Sequence, residues 1–148
     1  MKDFKGVALR GLANLMVVIV MAGCAALHDR PPEESLRPKV EQLVALKTAG
    51  RWDQVYGLYD SGFRKAISRE AFLAGPKDVK FDACRIGEIV VAPDGKTAVA
   101  TVENDVTVMG FHLKGIIQKQ QWIREDGKWR LQVDPYSNPI TGSKQKAP

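Results

Sequence analysis

Cys24, Cys84, His28 and His112 are the thiols and imidazoles of this 148-residue chain. They set what covalent, acid–base or metal chemistry it could do. A thiol can act as a nucleophile or carry an acyl or thioether group. An imidazole can move a proton if a carboxylate or hydroxyl lies within hydrogen-bond reach. His28 falls in a polar, proline-containing stretch. His112 falls between two apolar runs, and Asp105 stands across the expected hairpin from it, so the two could form a dyad. The alternative is that a histidine in a link is simply solvated. Tyr56 and Tyr59 could line a pocket, or be core residues whose hydroxyls reach polar partners. Metal binding needs ligands clustered at the right spacing, and none are. Neither a glycine-rich phosphate loop nor a serine-centred nucleophile elbow is present. No metal or cofactor is expected. The aromatic residues lack interleaved basic ones, so nucleic acid is not an expected partner.

Cys24 closes the stretch Met21-Ala22-Gly23-Cys24, which follows the apolar run Leu15–Val20 and a basic start carrying Lys2, Lys5 and Arg10. A positive start, a short apolar core and small residues at the end define a secretory signal. The stretch resembles the lipobox of bacterial lipoproteins at Ala22, Gly23 and Cys24, with Met21 where leucine is usual. The resemblance implies cleavage before Cys24 and lipid on its thiol, hence an anchored protein of the bacterial envelope. Ala25, rather than aspartate, implies the outer membrane, facing the periplasm, in a Gram-negative host. Two other readings stay open: an ordinary signal peptide, and an uncleaved anchor. The uncharged stretch from Gly11 to Leu27 is barely long enough to span a bilayer, which needs about 17–25 residues.

The formal charge is +5. The segment before Cys24 carries three of the positive charges and one of the negative, so the remainder is only mildly basic. That fits ordinary solubility better than a polyanion partner. With Cys24 taken by lipid, Cys84 has no partner within the chain. In an apparent strand it reads as a small buried hydrophobe. An intermolecular disulfide is the alternative.

The remainder divides into a tether over 24–35, a folded domain over 36–134 and a disordered tail over 135–148. A first helix is expected from Ser35, as cap, to Ala49, with Leu36, Val40, Leu43 and Val44 on one face and Pro38 in the first turn. A second carries Trp52, Val55, Tyr56 and Tyr59 on one side and closes at Asp60-Ser61-Gly62. A further helical turn holds Phe63, Ala66 and Ile67. Ser68 then caps a helix over Arg69–Ala74 with Phe72 and Leu73 inward. From Val79 the chain turns β-rich, with strands expected over Val79–Val91, Thr97–Met109, Gly115–Glu125 and Lys128–Val133. Asp126-Gly127 between the last two is a strong hairpin signal. Trp122, Trp129 and Leu131 alternate with polar residues, so one face of the sheet is buried. The apolar pattern slips between Ala83 and Ile89, which implies a bulge.

Helices followed by a meander of strands imply an α+β domain, with N-terminal helices packed on a strongly curved antiparallel sheet of about four strands. The pattern Trp52…Val55-Tyr56…Tyr59, Phe63-Arg64, Ile67 to Phe72 and the final Trp122…Asp126-Gly127-Lys128-Trp129 hairpin resembles small bacterial lipoproteins of the nuclear transport factor two-like, cone-shaped superfamily. The resemblance implies a cavity between helices and sheet, lined by Trp52, Tyr56, Tyr59, Phe72, His112 and Trp122. Fold alone does not give function. The leading expectation is a non-catalytic, lipid-anchored domain binding a small apolar ligand or a protein partner, with a homodimer through the sheet possible. The alternatives are an enzyme using His112 with a carboxylate, and a structural component of the envelope. A cavity in which His112, a carboxylate and a tyrosine converge would favour the enzyme. Space filled by Trp52, Tyr56 and Phe72 would favour a binding or structural role.

Overall fold

A proline at the first position of a helix loses nothing, because its missing N–H would be unpaired there anyway. In the computed structural model, which describes residues 31–75 and 78–136, α1 spans Pro32–Thr48 with Pro32 in that place. Glu33 and Glu34 follow in the first turn, where the helix dipole favours acids. The helix therefore starts three residues before Ser35, and Pro38 lies inside it rather than in its first turn. The expected tether is shortened to match. Ser35 is not the cap. Its hydroxyl donates to Pro32 O at 2.8 Å and accepts from Trp129 Nε1 at 2.9 Å. Leu36, Val40 and Leu43 are fully buried, as the helical spacing implies.

α2 (Trp52–Tyr56) is a single turn that stops before Gly57, shorter than expected. Asp60-Ser61-Gly62 opens a helix rather than closing one. Asp60 caps α3 (Ser61–Ala66), its Oδ1 accepting from Phe63 N at 3.0 Å. Between α2 and α3 the chain runs beside the sheet: Asp60 N donates to Leu131 O at 2.9 Å and Leu131 N to Leu58 O at 2.8 Å. α4 (Arg69–Ala74) has Ser68 as its cap, accepting from Ala71 N at 3.2 Å.

The four strands, β1 (Val79–Val91), β2 (Thr97–Val108), β3 (Phe111–Glu125) and β4 (Lys128–Gln132), form an antiparallel meander in the order β1-β2-β3-β4. The fold is α+β, helices first and sheet after, as the sequence implies. Two hairpins use tight turns with both central residues at positive φ, the geometry that matches strand twist. One is Asp126-Gly127, at 49° and 75°. The other is Met109-Gly110, at 50° and 84°. The expected strands Thr97–Met109 and Gly115–Glu125 leave Gly110–Lys114 as a link instead. Met109 is an uncommon residue for positive φ, which hides the turn and hides the start of β3 four residues before Gly115.

β1 shifts register between Phe81 and Ala83 and again between Ile86 and Ile89, the second where the apolar pattern slips. β2 and β3 shift between Asn104 and Val106, where Lys114-Gly115 opposes Asp105 alone. The inner face of β2 presents Ala98, Ala100, Val102, Asn104 and Val106, all buried. Trp122, Trp129 and Leu131 close the core against α1 and α2.

Asp60 ties two elements together. Besides capping α3, its Oδ2 accepts from Val133 N at 3.3 Å, and the residue is buried. In equilibrium urea unfolding, Asp60→Ala is expected to lower the unfolding free energy by about 2–3 kcal/mol, from the lost cap and a partly buried backbone N–H left unpaired. Asp60→Asn keeps an acceptor at the cap and should lose under half as much in the same urea titration.

Candidate functional site

Four of the six residues expected to line a cavity meet. Phe72, on α4, stands at the centre of an aromatic cluster. It touches Trp52 edge-on at 6.4 Å between centroids, Tyr56 at 5.5 Å, Tyr59 edge-on at 5.4 Å and Phe63 at 6.1 Å. Tyr59 stacks on Phe63 at 4.3 Å, and Trp52 reaches Phe81 of β1 at 5.8 Å. These rings occupy the space between helices and sheet themselves. Tyr56 OH donates to Ile67 O at 2.8 Å, so its hydroxyl joins α2 to the end of α3. Burial pushes the Tyr59 phenol far above its ordinary pKa, so it stays protonated.

His112 and Trp122 are not part of this cluster. The reason is parity. Residues 112 and 122 would share a face of an uninterrupted strand, but the extra residue at Lys114-Gly115 reverses the alternation between them. Trp122 pairs with Ala98 on the inner face and is fully buried. His112 pairs with Thr107 on the outer face, with its side chain 72% exposed.

The proposed dyad does not form either. Asp105 accepts from Gly115 N at 2.8 Å and pairs with Arg85, which also binds Glu103. His112 meets a different carboxylate through a hydroxyl. Thr107 Oγ1 donates to Asp82 Oδ2 at 2.6 Å and lies 2.8 Å from His112 Nδ1. Thr107, followed by Lys80, holds the Asp82 carboxyl below the usual range. The hydroxyl has one proton and gives it to Asp82, so His112 Nδ1–H must donate to Thr107. Nucleophile activation needs the imidazole to accept the hydroxyl proton. Here the hydroxyl stands between carboxylate and imidazole, in open solvent.

Sequence reasoning missed Lys47. This residue lies in the last turn of α1, buried, with Nζ 5.1 Å from the centre of the Phe81 ring. Burial lowers its pKa to about 8. Nearby, burial also pushes the Cys84 thiol up, opposed by a weak hydrogen bond from Thr48 at 3.8 Å. Cys84 is half-buried, less than the buried hydrophobe its strand position implies, and is a free thiol among the described residues. The unfolded chain holds the Lys47 proton to a higher pH than the folded chain does. Stability should therefore rise with pH from about 8 to the ordinary lysine value of 10.5. Lys47→Met should remove this rise and raise stability at pH 7 by up to ~3 kcal/mol. Thermal melts of both proteins across pH 7–10 would check it, and parallel pH curves would contradict it.

Of the apolar side chains left in water, three cluster at the far end of the β2–β3 hairpin. Met109 is 78% and Phe111 74% exposed, with Leu113 partly exposed beside them. Phe111 and Leu113 pair with Val108 and Val106, so they continue the inner face past the end of the helices. Val90 and Ile117 are exposed on the outer face but lie in separate rows of the sheet. Among the described residues there is no grouping of three His, Cys, Asp or Glu able to hold a metal ion. No described helix is long and apolar enough to cross a membrane. Cys24 lies outside the described residues.

No family model matches the chain, and no curated protein matches it. Among solved structures it is similar to a putative calcium/calmodulin-dependent kinase II association domain from Exiguobacterium sibiricum. The two are 14% identical, with a TM-score of 0.52, over 72% of this chain and 92% of the other. A SEC-C motif containing protein from Rhodopseudomonas palustris aligns at 12% identity and a TM-score of 0.45, over 68% of this chain and 87% of that one. The first likeness supports the nuclear transport factor two-like fold, and at that identity it speaks to fold alone.

Proposed function

We propose that this chain is a lipid-anchored, non-catalytic domain of the bacterial envelope that holds a protein partner against the tip of its β2–β3 hairpin. The observation that carries the reading is the contrast between a filled interior and an unfilled edge. Six aromatic rings occupy the place where a small apolar ligand would sit, while Met109, Phe111 and Leu113 extend the apolar inner face into solvent. Exposed apolar residues grouped in this way mark interaction sites more often than scattered ones do.

The position of the tip suits the anchor. Pro32 packs against Gly95 in the β1–β2 turn, so the chain enters the domain at that end of the sheet. The Met109-Gly110 turn is at the other end of β2, about 35 Å away at the usual rise per strand residue. The seven Cα–Cα steps from Cys24 to Pro31 reach at most ~25 Å. A domain tethered there is joined to its anchor at the end of the sheet opposite the apolar tip.

A photo-crosslinking residue at Phe111 in the living cell should yield a discrete adduct, and one at Lys65 should not. No adduct at Phe111, or equal adducts at both, would overturn the reading. An adduct of twice the chain's mass would identify the partner as a second copy, the homodimer alternative.

A further inference from the structure

At the opposite end from the apolar tip, a cleft of about 370 Å³ opens between α3 and the β3–β4 hairpin. Ser61, Arg64, Glu125, Asp126, Lys128 and Arg130 line it. Its volume falls in the range of small-ligand sites. Its charge arrangement is unusual. Glu125 turns both carboxylate oxygens onto Ser61, accepting from the backbone N–H at 3.1 Å and from the hydroxyl at 2.9 Å. Arg64 Nε donates to Asp60 O at 3.4 Å, and Arg130 Nη1 donates to Gly57 O at 2.7 Å. Those bonds fix both guanidinium groups and leave other N–H donors on each. None of the three cations has a carboxylate oxygen within 4.0 Å among the described residues.

We propose that this cleft binds a phosphate group, with Arg64, Lys128 and Arg130 as its ligands. Guanidinium groups held in place by backbone carbonyls lose little freedom on binding, and their donor forks match phosphate oxygens. Lys128 adds a mobile point charge. Asp126 is the carboxylate of the cleft that Ser61 does not occupy, and it opposes an anion. The location gives the phosphate two sources. Arg124 N donates to Lys96 O, which joins the β3–β4 end to the β1–β2 turn where Pro32 sits. The cleft thus lies at the end where the chain enters the domain. Under the lipid-anchor reading this end is the one joined to the anchored segment, within reach of phospholipid headgroups, whereas a soluble phosphate would reach the cleft with or without an anchor.

Inorganic phosphate titrated into the purified full chain should give saturable shifts in the NMR signals of the Ser61 amide and the Arg64 and Arg130 side chains. The double variant Arg64→Gln/Lys128→Gln should weaken binding at least about tenfold. Asp126→Asn should tighten it several-fold, by removing a like charge. Asparagine is at home at positive φ, so this variant keeps the turn and tests the site even if the double variant unfolds. Phosphatidylglycerol vesicles that displace the phosphate would identify a lipid headgroup as the source. Vesicles that leave it bound would identify a soluble phosphate. Shifts that do not saturate, or an Asp126→Asn variant with unchanged affinity, would overturn the proposal.

Discussion

Trp129→Ala is expected to lower the unfolding free energy by about 3–5 kcal/mol, the range for removing a large buried aromatic side chain. Trp129 is 3% exposed and joins three elements at once. Its ring fills the core between β4 and α1, and Nε1 donates to Ser35 Oγ at 2.9 Å. The Arg124 guanidinium lies 5.5 Å from the ring centre on the other side. Ser35 in turn donates to Pro32 O, so the indole fixes the first turn of α1 through one hydroxyl. Trp129→Phe separates the contributions. It keeps most of the ring and loses the N–H, and should lose about 1–2 kcal/mol. Ser35→Ala should be close to it, because it breaks the same bond from the other side. Equilibrium urea unfolding of the three variants gives the comparison. A Trp129→Ala change within error would contradict the burial of this face of β4.

Cys24→Ser is expected to abolish acylation altogether. A hydroxyl does not replace the thiol in forming the thioether on which the lipoprotein reading depends. Cells expressing the parent chain and labelled with palmitate should yield an acylated protein that has lost its first 23 residues. The variant should carry no label and keep its original start. Label persisting in the variant would remove the anchor from the proposal. The folded domain would be untouched, because every contact described for it begins at Pro31 or later.

The burial of Trp129 is legible as alternation: Trp129 and Leu131 flanked by polar residues after Asp126-Gly127 admit one strand phase. The helix faces are legible for the same reason, since Leu36, Val40 and Leu43 repeat at the helical period. The cap at Ser68 needs only local bonds, and its neighbours supply them. The local signal at Asp60, which caps α3, is ambiguous. An aspartate before Ser-Gly can close one helix or open the next. What decided it was Leu131, more than seventy residues away, whose backbone draws Leu58–Asp60 out of the helix.

The site residues follow the same division. Sequence alone determined the aromatic set Trp52, Tyr56, Tyr59 and Phe72, because the spacing of the first three is local and Ser68 fixes the helix that carries the fourth. It also determined the element order and the antiparallel sheet. Only the tertiary structure placed His112 outside and Trp122 inside, buried Lys47 against Phe81, and brought Arg64 beside Lys128 and Arg130. A side chain's face depends on the number of residues between it and the nearest bulge, and a bulge exists only where two strands pair. The charge arrangement of the cleft likewise depends on Glu125 turning to Ser61, a partner 64 residues distant. Periodicity records which residues one element buries; it carries no record of which other element they meet.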